Sequence, residues 1–188
     1  MKRLASLLAS GLVLASLAGC GPKSNLVSLE YISTGRAETL CTQPVAVGTF
    51  LDMRENKNLG RDNSHVLYPA GGSVEQWVAD AFEKEMAARG CEVSRSDQPS
   101  PFTPDLVLKG EVLDLAVVRD GFDYTVNIDL AVKLFRTGEP VYHKVYQRLW
   151  ERTFVTPSET RFRDLLRQGL QDLLNDALLD LKPLVGGL

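Results

Sequence analysis

The chain has 188 residues, 24% of them charged and 44% apolar, with 21 Lys and Arg against 24 Asp and Glu for a net charge of −3. These proportions exclude a disordered chain, a fibrous repeat and a multi-span membrane protein, and leave one globular domain as the default. Residues 1–19 contain Lys2 and Arg3 and no acidic group, so the remainder is more acidic still, which excludes nucleic-acid binding on charge.

Residues 1–19 read as a lipoprotein signal peptide. Lys2 and Arg3 precede an apolar run over 4–17, and Leu17-Ala18-Gly19-Cys20 follows. A run of about 14 apolar residues is too short to cross a bilayer, which takes roughly 20, but suits the core of an export signal. Leu17, two small residues and a Cys form the lipobox of bacterial lipoproteins. The chemistry needs the thiol: a diacylglyceryl group is attached to Cys20 as a thioether, and cleavage before Cys20 frees an amine for a further acyl chain. At about 0.8 kcal/mol per buried CH2, two or three chains make such an anchor effectively permanent. Among bacterial lipoproteins an Asp directly after the lipidated Cys commonly retains the protein at the inner membrane, and Gly21 stands there. The expected location is therefore the periplasmic face of the outer membrane, with the outer face of the inner membrane as the alternative. Residues 20–26 form a lipidated tether and 27–188 a single periplasmic domain.

Along that domain, residues 27–31 alternate as a short edge strand, and 45–51 form a firmer one. Residues 52–72 are a long polar loop, and loops of about 20 residues inside a domain tend to be functional or mobile. Its charged and amide side chains Asp52, Arg54, Asn58, Arg61 and Asp62 are the candidate partner-binding set. A helix then starts at Ser73 as N-cap, with Gln76 completing a capping box, and stops at Gly90. Its apolar stripe of Val74, Trp77, Val78, Ala81, Phe82 and Met86 is a core face. With Cys20 used by the anchor, Cys41 and Cys91 are an even pair in an oxidising compartment. Two adjacent parallel strands joined by that helix would start on the same sheet edge, within reach of a disulfide; two separate buried thiols are the alternative.

Pro99, Pro101 and Pro104 mark a loop. Leu106, Leu108 and Val112 keep one phase and Leu113, Leu115 and Val117 the other, which predicts a bulge or bend just past Gly110. Residues 122–134 alternate without a slip, and turns at 119–121 and 137–139 make three strands a meander. The last strand, 141–155, has a mixed odd row, whereas its even row reads Tyr142, Lys144, Tyr146, Arg148, Trp150, Arg152 and Phe154. That row is a candidate face for a lipid headgroup or glycan. The alternative is that its rings and basic stems simply cover an exposed sheet face with their apolar parts. A second helix starts at Thr156, with Pro157 first and Glu159 in a capping box, and carries a broad Leu stripe until Pro183. The expected architecture is α+β: a mostly antiparallel sheet with two amphipathic helices packed on one face.

Chemistry-bearing motifs are scarce. His65 and His143 stand in different elements without ligand spacing, so no metal site and no cofactor are expected. No nucleophile elbow, phosphate loop or dinucleotide fingerprint is present. Asp52, Glu55 and Asp62 could form a carboxylate pair for glycosidic cleavage, or be solvated loop charges. The expectation is a protein that is not an enzyme.

The lipobox, Pro44-Val45-Ala46-Val47-Gly48-Thr49-Phe50, Asp52-Met53-Arg54, Val74-Glu75-Gln76-Trp77-Val78 and Leu108-Lys109-Gly110-Glu111-Val112 together resemble the YajG-type bacterial lipoproteins. More distantly the chain resembles the auxiliary lipoproteins of ABC transport systems. The resemblance covers about residues 20–155 and implies a non-enzymatic outer-membrane lipoprotein, with no catalytic or ligand residue to carry over. Three functions follow as expectations. The leading one is a membrane-anchored adaptor or auxiliary component that docks an envelope protein of an assembly or transport system. The second is a lipid- or glycan-binding module, and the third a hydrolase of envelope polymers.

Overall fold

A computed structural model describes residues 25–35, 39–97, 104–156, 158 and 160–186. The signal peptide 1–19, Cys20, Gly21, Pro99, Pro101, Pro157 and Glu159 lie outside them. In chain order the elements are β1 (Val45–Asp52), β2 (Asn58–Arg61), β3 (Leu67–Pro69), α1 (Val74–Ala88), β4 (Val93–Arg95), β5 (Leu106–Asp120), β6 (Asp123–Arg136), β7 (Glu139–Thr153) and α2 (Thr160–Val185).

The fold is α+β, with a seven-stranded mixed sheet organised on the long β5. One edge of β5 carries β1 and, further along, β2, both parallel to it. β4 extends the sheet beyond β1, and β3 beyond β2. The other edge of β5 carries β6 antiparallel along its length, and β7 follows antiparallel as the outermost strand. The β5–β6–β7 meander and the short β2–β3 pair are antiparallel, whereas β4, β1 and β5, with the β1–α1–β4 crossover, and β2 on β5 are parallel. The phase change past Gly110 is a bulge between Val112 and Asp114. Gly110 itself is needed for close approach: a Cβ there would lie 2.3 Å from the Ala131 carbonyl oxygen and the Phe50 ring.

Both helices lie on one face of the sheet and pack against each other. The α1 stripe fills the space over β1 and β5, where the Phe50 and Phe82 rings stack with centroids 5.1 Å apart. The α2 stripe, from Phe162 through Leu174 to Val185, covers β5 and β6. Alternation along β6 puts Tyr124, Val126, Ile128 and Leu130 into this core.

Four expectations change. Residues 27–31 do not form a strand: Val27 alone bridges to Ala70, and the Tyr31 side chain turns inward. Residues 52–72 are not one loop but contain β2 and β3. Leu59 and Tyr68 are buried, and Tyr68 stacks on Phe162 with centroids 4.1 Å apart, so packing offsets the polar composition. The last strand runs 139–153 rather than 141–155. Helix α2 starts at Thr160, not after Thr156, with the Arg161 amide on the Ser158 carbonyl at 3.1 Å. Its other end passes Pro183, and the Gly186 amide closes on the Lys182 carbonyl at 2.8 Å.

Candidate functional site

Cys41 and Cys91 are bonded, with Sγ–Sγ 1.99 Å and Cα–Cα 4.9 Å. The bridge joins the chain before β1 to the chain before β4. The pairing of Val45 with Val93 puts the two strand starts side by side, which is the geometry a disulfide needs. The alternative of two separate thiols is thereby closed.

The candidate partner-binding set divides. Arg54 is turned inward, 3% exposed, with Nε and Nη2 donating to the two Asp52 carboxylate oxygens at 2.9 Å each and Nη1 to the Leu115 carbonyl at 3.2 Å. This fork holds the Asp52 carboxyl down at about 2, well below its ordinary 3.8. Asp62 is also buried: its Oδ1 accepts from the amides of Ser64 and Val66 at 3.0 and 2.9 Å, and Oδ2 from Arg119 at 3.0 Å. It shapes the turn from β2 to β3, where His65 takes φ 61°. Arg54 and Asp62 are therefore internal clamps rather than surface contacts. Asn58 is half-buried with its amide groups on Asn56, and Arg61 is exposed. Asp52 and Asp62 are each committed to an arginine, so no carboxylate pair facing a cleft forms from Asp52, Glu55 and Asp62.

The candidate ligand face is not an open sheet face. The even row of β7 lies on the side that α2 covers, and α2 supplies matching acids. Lys144 Nζ donates to Asp180 at 2.6 Å, the Tyr146 hydroxyl to the same carboxylate at 2.8 Å, and Arg148 pairs with Asp176. The Tyr142 and Tyr146 hydroxyls are 2.5 Å apart, and the Arg152 guanidinium lies 5.4 Å from the Trp150 ring centroid. Burial pushes the Tyr146 hydroxyl far up, reinforced by Tyr142 and Asp180, while Lys144 holds Asp180 below the usual carboxylate range. What remains beside this row is a cleft of about 370 Å³ lined by Arg148, Leu149, Trp150, Asp172, Asn175, Asp176 and Leu179.

A second cleft of about 410 Å³ lies at the C-terminal ends of β1 and β4, beside the first turn of α1. Two of its charged groups are paired: Asp97 accepts from the Thr49 amide and hydroxyl at 2.5 and 2.7 Å, and Arg95 pairs with Asp80 and Glu83 of α1. The Thr49 hydrogen bonds hold Asp97 below the usual range. Among the described residues no group of three potential metal ligands occurs, and no helix is long and apolar enough to cross a membrane.

Sequence reasoning passed over the opposite, helix-free face of the sheet. Leu51 near the end of β1 and Met53 just after it are 52% and 58% exposed, Leu67 on β3 49%, and Leu149 on β7 72%. Val141, His143, Val145, Gln147 and Glu151 share the exposed row with Leu149. The available signal was the odd row of β7, in which apolar residues alternate with polar ones.

No family model matches the sequence, and no curated protein matches it in sequence. Solved structures do match in fold. A protein from Xanthomonas campestris of the family DUF330 superposes with a TM-score of 0.61 at 12% identity, over 81% of this chain and 91% of that one. An uncharacterized protein superposes with a TM-score of 0.51 at 10% identity, over 83% and 99% of the two chains. A hypothetical protein from Chlamydia trachomatis gives 0.51 at 9% identity, over 77% and 98%. At these identities the likeness is one of fold: the chain shares its α+β architecture with a DUF330 protein across nearly the whole of that protein.

Proposed function

We propose that the chain is a lipid-anchored, non-catalytic adaptor of the bacterial cell envelope. In this reading Cys20 holds it at the periplasmic face of the outer membrane, and the helix-free face of the sheet docks a protein of an envelope assembly or transport system. The lipobox supports the anchor, and the Cys41–Cys91 bond supports export, because such bonds persist in oxidising compartments. The observation that carries the docking reading is the contrast between the two sheet faces. On the helix side Lys144 and Arg148 of β7 are met by Asp180 and Asp176. The helix-free face leaves Leu51, Met53 and Leu67 about half exposed, with Arg61 beside Leu67 across the β2–β3 pair. Apolar side chains rimmed by charge favour a protein surface over a soluble polar ligand.

The test is crosslinking in intact envelopes, detergent extraction of the full lipidated protein, and mass spectrometry of what co-purifies. One envelope protein is expected in near-stoichiometric yield, reduced at least tenfold by the combined Leu51→Ser, Met53→Ser and Arg61→Glu substitutions while the unfolding transition stays in place. Cys20→Ser is expected to move the protein to the soluble fraction. Recovery of a lipid or glycan without a protein, or a protein yield indifferent to the three substitutions, would overturn the adaptor reading.

A further inference from the structure

β7 is a 15-residue strand that pairs, among the described residues, with β6 alone. The Phe154 amide donates to the Phe122 carbonyl at 2.9 Å, and the register then runs from Asp123 opposite Thr153 to Leu134 opposite Tyr142 without a slip. The even residues of β7 therefore exchange hydrogen bonds with β6. The odd residues 143–153 aim their N–H and C=O groups outward from the sheet edge. Their side chains are exposed on the helix-free face.

Natural edges of this length are usually blunted by charge, proline, a bulge or a covering segment. Here, among the described residues, Pro140 and the register shift beside it guard one end only. Lys144 and Arg148 are drawn over the helix side by Asp180 and Asp176. No Lys, Arg or Pro stands at 143, 145, 147, 149 or 151. An edge left open in this way is suited to another strand.

We infer that the strand is a second β7: two copies of the chain pair antiparallel about a two-fold axis at Gln147, giving one continuous sheet. The register follows from charge. With the axis at Gln147, His143 lies opposite Glu151, Val145 opposite Leu149, and Gln147 opposite its own copy. On the helix side Tyr146 meets Arg148 and Lys144 meets Trp150, so each cation faces a ring. An axis at Tyr146 would set Lys144 against Arg148, and one at Arg148 would set that residue against itself. An axis at Val145 would bring Glu139 against Glu151, and one at Leu149 would shorten the pairing from 141–153 to 145–153. Like charges directly opposite are destabilising, which leaves Gln147 as the longest register free of them. A two-fold contact of this kind closes on itself and removes the open edge. The inference does not rest on the adaptor reading, whose residues Leu51, Met53 and Arg61 lie toward the opposite side of the sheet.

The test is a cysteine scan of the full lipidated protein in its envelope, together with sedimentation in density-matched detergent. Gln147→Cys is expected to give a disulfide-linked dimer, because residues facing each other in a hydrogen-bonded pair have Cα atoms about 5.5 Å apart. Val145→Cys and Leu149→Cys are each expected to give none, because each residue lies about 13 Å from its own copy in this register. The Val145→Cys, Leu149→Cys double variant is expected to crosslink. Gln147→Lys sets two cations on the axis and is expected to raise the dimer dissociation constant at least tenfold with the unfolding transition unchanged. A wild-type protein that sediments as a monomer at tens of micromolar, or crosslinking by Val145→Cys or Leu149→Cys alone, would overturn the inference. Failure to recover any envelope partner from the wild-type protein, with the dimer intact, would count against the adaptor reading only.

Discussion

Arg54 lies in the middle of a polar stretch and yet is almost wholly inside the protein, where it ties the end of β1 to the Leu115 carbonyl of β5. Its carboxylate partner, Asp52, has a folded pKa depressed to about 2, chiefly through the Arg54 hydrogen bonds. A depressed carboxyl contributes stability that is complete above its unfolded value, near 4, and is lost as pH falls through the folded value. Asp52→Asn is therefore expected to lower the urea midpoint at pH 7 and to flatten its fall between about pH 4 and 2. Parallel wild-type and variant curves across that range would reject the clamp. The residue types of the pair were visible in the sequence, but their role was not. The carbonyl that Arg54 reaches is 61 residues away, and burial of Asp52 and Arg54 is set by what packs over them.

Elements whose signals are local were legible, and those stabilised by distant partners were not. Helix α1 begins after Ser73, whose hydroxyl accepts from the Gln76 amide at 3.0 Å, and Gly90 follows its end at φ 79°. Both devices act within four residues, which is why the periodicity and caps locate the helix. Ser73→Ala is expected to cost about 1 kcal/mol in equilibrium unfolding, with Ser73→Asp close to wild type. A loss below a few tenths of a kcal/mol would show that the cap is not limiting. Strands β2 and β3, four and three residues long, carry no such signal. They exist because Gly60 comes close under Phe162, where a Cβ would lie 2.5 Å from the ring, and because Tyr68 stacks on that ring from the next strand. The alternation of β7 is legible in the sequence, but the element that lies over its even row is not. An aromatic and basic row is equally suited to a ligand and to a helix with acids at 176 and 180, and only the position of α2 decides between them.

At the scale of the molecule, the Cys41–Cys91 bond closes a loop spanning 50 positions that contains β1, β2, β3 and α1. Chain-entropy arguments give a loop of that length about 4 kcal/mol of stabilisation, acting mainly on the unfolded state. The double Cys41→Ala, Cys91→Ala variant is expected to unfold with about 3–4 kcal/mol less free energy in urea at the same pH. A loss under about 1 kcal/mol would mean that the parallel part of the sheet needs no staple. Two helices on one face of an α+β sheet, the β5–β6–β7 meander and the nearness of the two cysteines could all be read from the chain, because periodicity, turns and cysteine parity are properties of short windows or simple counts. The mixed strand order, the inward turn of Arg54 and Asp62, and the division of β7 into a covered row and an open row came only with the tertiary structure. Each depends on contacts between segments tens of residues apart, where burial and partner, rather than residue type, determine what a side chain does.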